Sequence, residues 1–181
     1  MSAIGGVYFQ GNLPLAWHAA EPPGEETLQG WMFTNAVLLR ALATMDAQPT
    51  ERDVDPNGDA DRKLERLEAK LDLALNLLAQ LIARDAPKPE ACPATLSATA
   101  IEWFSSKIPA TGNLVITLYL DPRLPQPLQL PAQVLESAPA EGGHRTLAEF
   151  HHLDEETQEW LERMVFRRHR RHIQALHGAK G

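Results

Sequence analysis

Apolar residues recur at two different periods along this chain, and the two periods divide it into a helical part and a strand-rich part. From Thr27 to about Ala47 they recur at spacings of three and four, which places them on one side of a helix. The residues on that side are Leu28, Trp31, Met32, Asn35, Leu38, Leu39, Leu42 and Met45. We therefore predict a long amphipathic helix, with the acidic Glu25 and Glu26 near its start, where they face the positive end of the helix dipole.

A second helix is predicted after the polar segment QPTERDVDPNGDAD, with Asp59 or Asp61 as its N-cap. Its apolar residues follow a seven-residue repeat, which turns positions a and d of the repeat toward a partner helix. Position a holds Leu64, Leu71 and Leu78, position d holds Leu67, Ala74 and Leu81, and positions e and g add Leu75, Ile82 and Leu77. The pattern predicts a coiled coil whose apolar face is wide enough for more than two helices.

The partner of this heptad-bearing helix is either the first helix of the same chain or other copies of the chain. Leu73 lies outside the a/d seam and can meet the first helix while the seam meets other copies, so one intramolecular hairpin would not use all the apolar surface. We therefore expect a homo-oligomer, with the intramolecular hairpin as the alternative. Lys63 at g would approach Glu68 at e of a neighbouring copy in a parallel arrangement, which slightly favours parallel packing. Because the wide apolar face suggests more than two helices, we expect a parallel tetramer.

The strand-rich part begins at the N-terminus and resumes after the helices. Residues 7–19, VYFQGNLPLAWHA, alternate in character around the turn-forming pair Gly11–Asn12 and predict one or two strands. Further strand-like runs cover residues 96–104, 113–120, 128–135 and 145–150. The chain then closes with a helix that has Asp154 as its N-cap and carries Trp160, Leu161, Met164, Val165 and Phe166. The fold class predicted is therefore α+β.

Composition narrows the classes of function. The 181 residues are 44% hydrophobic and carry a formal net charge of −7, so binding of nucleic acid or of an anionic membrane would need a local basic patch. Cys92 is the only cysteine, and the N-terminus lacks a basic start and a continuous apolar run, so we expect a cytoplasmic protein. The apolar stretch at residues 71–83 is too short to span a bilayer, so we expect no membrane insertion.

The blocks TLSATAIEW, TGNLVITLYL, PLQLPAQVLES and HRTLAEFHHLDEETQEWLERMVFRRHR resemble a PilZ domain in order, spacing and character, over residues 95 to about 171. The resemblance implies a six-stranded β-barrel with a C-terminal helix, and these blocks supply too few strands to close it. We expect the N-terminal strand to complete the barrel, since an open barrel would expose strand edges. Three parts result: residues 1–23 begin the barrel, residues 24–86 form two long helices of an oligomeric coiled-coil bundle, and residues 87–181 complete the barrel and the terminal helix.

The resemblance also implies a ligand, because typical PilZ domains bind cyclic di-GMP through an R-x-x-x-R motif before the first strand and a D/N-x-S-x-x-G motif at the second. No Arg or Lys precedes Arg40 here, so the first motif is absent. The second keeps Ser97, but Thr95 stands at the acidic or amide position and Ala100 at the glycine position. Since arginine forks are the permanently charged partners of phosphate groups, we expect no binding of cyclic di-GMP, or only very weak binding.

A basic cluster near the C-terminus is a second candidate site. It contains Arg167, Arg168, Arg170 and Arg171. Cations near a helix C-terminus suit the helix dipole, so a solvated helix end is one interpretation, and docking of an acidic protein partner is another. Nucleic acid is a weaker expectation, because no aromatic platform lies among these arginines.

No pattern of residues predicts catalysis. The histidines and Cys92 do not follow C-x-x-C or H-E-x-x-H spacing, so we expect no metal site. The serines lack the context of a nucleophile elbow, and no glycine-rich loop opens a helix, so we expect neither an enzyme nor a cofactor.

The residues and the resemblance together predict an oligomeric protein-interaction scaffold of the PilZ type. Its partners would be other copies of itself and unidentified proteins of a bacterial cyclic di-GMP pathway, such as type IV pilus motility, biofilm formation or virulence. One alternative is a cyclic di-GMP sensor whose site is rebuilt by oligomerisation. Another is a nucleic-acid binder that uses the basic C-terminal helix.

Overall fold

Strand and helix boundaries come from a computed structural model that describes residues 4–46, 64, 67, 71, 78, 88–109, 112–122, 124 and 126–178. Within these residues the chain forms six strands and two long helices. In chain order they are β1 (Phe9–Ala19), α1 (Glu25–Met45), β2 (Ala91–Leu96), β3 (Ala100–Ser105), β4 (Asn113–Leu118), β5 (Leu128–Ala140), β6 (Gly143–Phe150) and α2 (Glu155–Gly178). The first turn of α1 contains Glu25 and Glu26, so this helix begins slightly before the apolar periodicity does.

The six strands close into an antiparallel barrel in the order β1-β2-β3-β6-β5-β4, which confirms the predicted six-stranded barrel. β1 is shared between two neighbours, since residues 9–14 pair with β2 and residues 15–19 pair with β4. It is one continuous strand, because Gly11 and Asn12 pair with Ala94 and Pro93 and do not turn the chain. The N-terminal segment therefore supplies the strand that closes the barrel.

The predicted run at residues 96–104 is two strands in the structure, so the prediction of a single run was wrong. β2 ends at Leu96, and a tight turn leads into β3. The hydroxyl of Ser97 accepts hydrogen bonds from the backbone N–H groups of Thr99 and Ala100, at 3.3 and 3.0 Å. A serine that bonds to the neighbouring backbone in this way favours a turn over a continued strand.

β5 and β6 form a hairpin that extends past the predicted end of β5 at residue 135. The hairpin turns at Gly142, whose φ of 79° lies in the left-handed region that glycine adopts without strain. The ladder shifts register between Val134 and Glu136, so Leu135 is the extra residue of a β-bulge and its side chain is exposed. The strand therefore bulges where the sequence predicts its end.

One apolar core fills the barrel and continues beneath the two helices. Its largest fully buried side chains include Trp103, Leu39, Leu42, Leu96, Ile101, Ile116, Leu118, Leu128, Leu130 and Leu161. Two of these, Leu39 and Leu42, come from α1, which packs on β5 and on α2. The apolar side of α1 is thus buried within its own chain, which differs from the expectation that both helices of the insertion form the bundle.

A polar contact at the centre of its buried face fixes α1 on the barrel. Asn35 is buried, its Nδ2 donates to the carbonyl oxygen of Gln129 at 2.8 Å, and the N–H of Gln129 donates to its Oδ1 at 3.0 Å. One side-chain amide therefore satisfies both backbone groups of one residue of β5. Such directional bonds specify where α1 lies along β5, because apolar contacts are not directional.

α2 begins as the sequence predicts. The backbone N–H of Thr157 donates to Oδ1 of Asp154 at 2.8 Å, which confirms Asp154 as the N-cap. The Thr157 side chain is buried, and its hydroxyl donates to the carbonyl oxygen of Met32 at 3.2 Å. The first turn of α2 is therefore joined directly to α1.

Replacing Asn35 with alanine should destabilise the fold, because the N–H and C=O of Gln129 lose their partner beneath α1. We expect the free energy of unfolding to fall by about 2–4 kcal/mol. Gln29→Ala is the matched control on the same helix, since the Gln29 amide forms an exposed bond to Glu25, and we expect it to change stability by less than about 0.5 kcal/mol. Urea denaturation at one fixed protein concentration measures both variants, and equal losses would contradict the role given to Asn35.

Candidate functional site

Four leucines of the predicted heptad repeat belong to the described residues, and all four are helical and exposed. Leu64, Leu67, Leu71 and Leu78 are between 52% and 67% exposed. The other predicted oligomerisation positions, Ala74, Leu75, Leu81 and Ile82, lie outside the described residues. The single chain therefore leaves these four leucines exposed to water.

The three positions of the degenerate ligand motif lie at the end of β2 and the start of β3. Thr95 is buried, and its Oγ1 accepts a hydrogen bond from Nε2 of Gln10 at 3.3 Å. Ser97 is also buried, and its hydroxyl lies 3.1 Å from the carbonyl oxygen of Ala100 in addition to its two contacts with the turn. The hydroxyl groups of both residues thus already form hydrogen bonds to other residues of the barrel.

A pocket of about 540 Å³ lies beside Thr95, between the β1–β2–β3 sheet and the β5–β6 hairpin. Its charged lining residues are Glu102 and Arg145, and Nε of Arg145 lies 3.8 Å from Oε2 of Glu102. A guanidinium that already faces a carboxylate gives little net attraction to a further negative charge. A dianionic ligand would therefore meet no excess of positive charge among the residues that line this pocket.

The basic cluster of α2 contacts the C-terminal end of α1. Arg167 donates to the carbonyl oxygen of Ala43 at 2.7 Å, and Arg171 donates to that of Asp46 at 2.6 Å. Arg171 also lies 3.1 Å from the carboxylate of Asp46. The last carbonyl groups of a helix lack partners within it, and α1 has no basic residue in its own last turn. Arginines of α2 therefore supply the cations that favour the negative end of the α1 dipole.

The other two arginines of the cluster differ in their surroundings. Arg168 donates to the carbonyl oxygen of Leu120 at 2.9 Å, lies 3.8 Å from the Asp121 carboxylate, and stands 5.1 Å from the centre of the Phe9 ring. Arg170 is exposed. Docking of a partner through this cluster stays a prediction, and three of its four arginines already bond within the chain.

Other kinds of chemistry find little support in the described part of the chain. No group of three or more His, Cys, Asp or Glu side chains is placed there to hold a metal ion. None of the described helices is long and apolar enough to cross a membrane. Burial is the main cause that raises the pKa of the Cys92 thiol, and the Glu90 carboxylate adds to the effect. The thiol is therefore protonated at neutral pH and is a weak nucleophile.

The sequence did not predict two parts of this site. β3 and β6 pair side by side, and this pairing brings Glu102 close to Arg145. The contact between the arginines of α2 and the end of α1 was also missed. Its one signal in the sequence is that the last turn of α1 contains no basic residue. Another element must therefore supply the cations that favour the negative end of the helix dipole.

Comparison with known proteins confirms the resemblance to PilZ domains. The atypical PilZ domain, described as a cyclic di-GMP receptor, matches residues 39–177, and this chain belongs to that family. The chain is also similar to a pathogenic protein from Xanthomonas campestris, whose crystal structure is described as a new tetrameric PilZ domain self-assembled via an unusual helical bundle. The two are 30% identical with a TM-score of 0.77, over 93% of this chain and 91% of that chain.

A second solved structure, the Bacillus subtilis inhibitor of motility, is much less similar. It aligns with a TM-score of 0.36 and 15% identity over 43% of this chain and 41% of that chain, a likeness too weak to support a conclusion. The comparison with curated proteins gave no match.

Ser97→Ala should destabilise the barrel, because two backbone N–H groups of the β2–β3 turn lose their acceptor. We expect a loss of about 1–2 kcal/mol in the free energy of unfolding. Ser106→Ala is the control, since Ser106 is exposed and lies outside this turn, and it should change stability by less than about 0.5 kcal/mol. Chemical denaturation compares the two. If Ser97→Ala left the stability unchanged, this serine would not be the residue that holds the turn.

Proposed function

We propose that this protein is an oligomeric PilZ-type scaffold, in which the heptad leucines assemble four copies into a parallel helical bundle that presents several barrels to partner proteins. The observation that carries the proposal is the exposure of Leu64, Leu67, Leu71 and Leu78 in the single chain. Burying a leucine that is about half exposed contributes roughly 1 kcal/mol, so four of them on each of several chains favour assembly.

The burial of α1 supports assembly over an intramolecular hairpin. Leu38, Leu39 and Leu42 belong to the core of the barrel, so the apolar side of α1 is not available to cover the heptad leucines. The outer side of α1 carries Phe33 and Val37, which are themselves exposed. Other copies of the chain are therefore the partners that this structure favours for the heptad leucines.

The similarity to the Xanthomonas campestris protein supports the same conclusion. That protein is described as a tetramer that self-assembles through a helical bundle, and the likeness covers 93% of this chain. So high a coverage leaves too few residues for the heptad region to lie outside the alignment. A tetramer is thus the assembly that the comparison favours here.

Weak binding of cyclic di-GMP, or none, is the second part of the proposal. The hydroxyls of Thr95 and Ser97 are engaged within the barrel, and Glu102 faces Arg145 in the adjacent pocket. No Arg or Lys precedes Arg40, which forms an ion pair with Glu156 at 3.0 Å. The phosphates of the messenger would lack the guanidinium partners on which such ligands depend.

We place this non-enzymatic scaffold in the cytoplasm, in a bacterial pathway linked to cyclic di-GMP such as type IV pilus motility, biofilm formation or virulence. Membership of a family described as a cyclic di-GMP receptor supports the link to the messenger. The same description favours a rival function, a sensor whose binding site is completed by residues of neighbouring copies. Ligand titration separates the two.

Assembly is tested with Leu71→Asp combined with Leu78→Asp. Carboxylates at these positions would repel one another and resist burial, so we expect the variant to sediment as a monomer of 20.1 kDa while the wild type sediments as a tetramer. Leu135→Asp is the matched control, because Leu135 is an equally exposed leucine on the bulge of β5 and should leave the mass unchanged. A double variant with the mass of the wild type would show that the heptad seam is not an interface between copies.

Isothermal titration of the wild type with cyclic di-GMP tests the second part. Each missing charge-assisted bond is worth about 1.5–3 kcal/mol, so the loss of several lowers the affinity by orders of magnitude, and we expect no measurable binding in the micromolar range. A micromolar or tighter constant would contradict this part of the proposal. If such binding disappeared in the variant with Leu71→Asp and Leu78→Asp, the sensor completed by assembly would be the correct function.

A further inference from the structure

A pocket of about 670 Å³ lies where β2 begins and β3 ends, beside the middle of β1. Its volume is within the range of about 300–1,000 Å³ that is usual for small-molecule sites, and such sites occur in the mouths of β-barrels. None of the positions of the degenerate motif, Thr95, Ser97 and Ala100, lines it. It is therefore distinct from the place where the family motif lies.

The inner wall of this pocket is formed by the apolar core of the barrel. Leu15 and Trp103 belong to the core, and Trp17 and Cys92 pack against it. Phe104 adds a third aromatic ring to the lining. Pairs of aromatic rings attract one another beyond what the burial of their surface contributes. The wall is therefore suited to a ligand that has an aromatic ring.

One polar atom of this wall has no partner. Trp103 is 1% exposed, and its Nε1 has no hydrogen-bond acceptor among the residues that the structure describes. An indole N–H acts only as a donor, and a buried donor without an acceptor costs free energy. A ligand that carries an acceptor close to its ring is therefore favoured over a purely apolar one.

The rim of the pocket carries one charge of each sign. Glu90 precedes β2, Lys107 follows β3, and within the described part of the chain neither side chain forms an ion pair. Burial chiefly, and the Glu90 carboxylate in addition, raise the pKa of the Cys92 thiol, so this carboxylate lies near the inner wall. The backbone N–H of Lys107 donates to Oγ of Ser105 at 3.0 Å, which holds the turn that carries the lysine.

We propose that this pocket binds a zwitterionic small molecule with an aromatic ring, of which an aromatic α-amino acid is the simplest form. The ring of the ligand contacts the aromatic wall, its ammonium group faces Glu90, and its carboxylate faces Lys107. A dianion such as cyclic di-GMP gains no net attraction from a rim that has one charge of each sign. The inference goes beyond the scaffold function, because each barrel would also respond to a small molecule.

Cys92 provides a direct readout of binding, since it is the only cysteine of the chain and lines the pocket. The rate at which iodoacetamide alkylates Cys92 in the full-length protein is followed by mass spectrometry with L-phenylalanine, L-tyrosine or L-tryptophan present. We expect at least one of them to slow the reaction severalfold. L-Alanine has the same charges but no ring, so it should leave the rate unchanged. The proposal is overturned if no aromatic amino acid slows the reaction more than L-alanine does.

Analogues of the protecting amino acid separate its two charges. For L-phenylalanine they are 3-phenylpropanoate, which lacks the ammonium group, and 2-phenylethylamine, which lacks the carboxylate; the tyrosine and tryptophan analogues are chosen in the same way. Each analogue should bind about two- to fivefold more weakly than the amino acid, which is the contribution of one partly exposed ion pair. Equal binding of the amino acid and both analogues would show that the rim charges do not select the ligand, and would also overturn the proposal.

Charge-neutral variants assign each end of the ligand. Glu90→Gln should abolish the preference for the amino acid over the analogue without an ammonium group, and Lys107→Met the preference over the analogue without a carboxylate. Lys88→Met is the matched control, because Lys88 stands over the Tyr119 ring and outside the pocket lining, and it should keep both preferences. Rates with and without ligand are compared within each variant, since Glu90→Gln also alters the pKa of Cys92. A Lys107→Met variant that behaves like Lys88→Met would contradict the proposal.

Discussion

Water is an unfavourable surrounding for leucine side chains, and this chain leaves Leu64, Leu67, Leu71 and Leu78 more than half exposed to it. The same chain buries the apolar side of α1 almost completely against the barrel and α2. Its apolar surface is therefore divided into two parts: the apolar side of α1 covers the core, and the heptad leucines stay exposed, where the proposed assembly would bury them. Because the two parts do not share side chains, the proposed assembly would leave the packing of α1 on the barrel unchanged.

The C-terminal end of α1 is held by side chains of α2. Arg167 and Arg171 of α2 bond to carbonyl groups at that end, and α2 is itself anchored in the core through Leu161 and Val165. The end of α1 is therefore fixed relative to the barrel. Copies joined through the leucines would hold their barrels in repeated positions, which suits a scaffold.

Local sequence predicted the features that local forces decide. The helical period located α1, and Asp154 caps α2 as expected, because both depend on residues within one or two turns. The turn at Ser97 was missed because apolar residues on both sides of it resemble one continuous strand. The Glu102–Arg145 pair depends on which strands become neighbours, since β3 and β6 are far apart in sequence. That order is decided by the whole barrel and by no single segment.

The concentration dependence of thermal unfolding tests the burial of the leucines most directly. Assembly that buries them stabilises the folded chain by mass action, so we expect the Tm of the full-length protein to rise steadily as its concentration increases over about two orders of magnitude. A Tm that stays constant over that range would contradict the proposal that the leucines are buried against other copies of the chain.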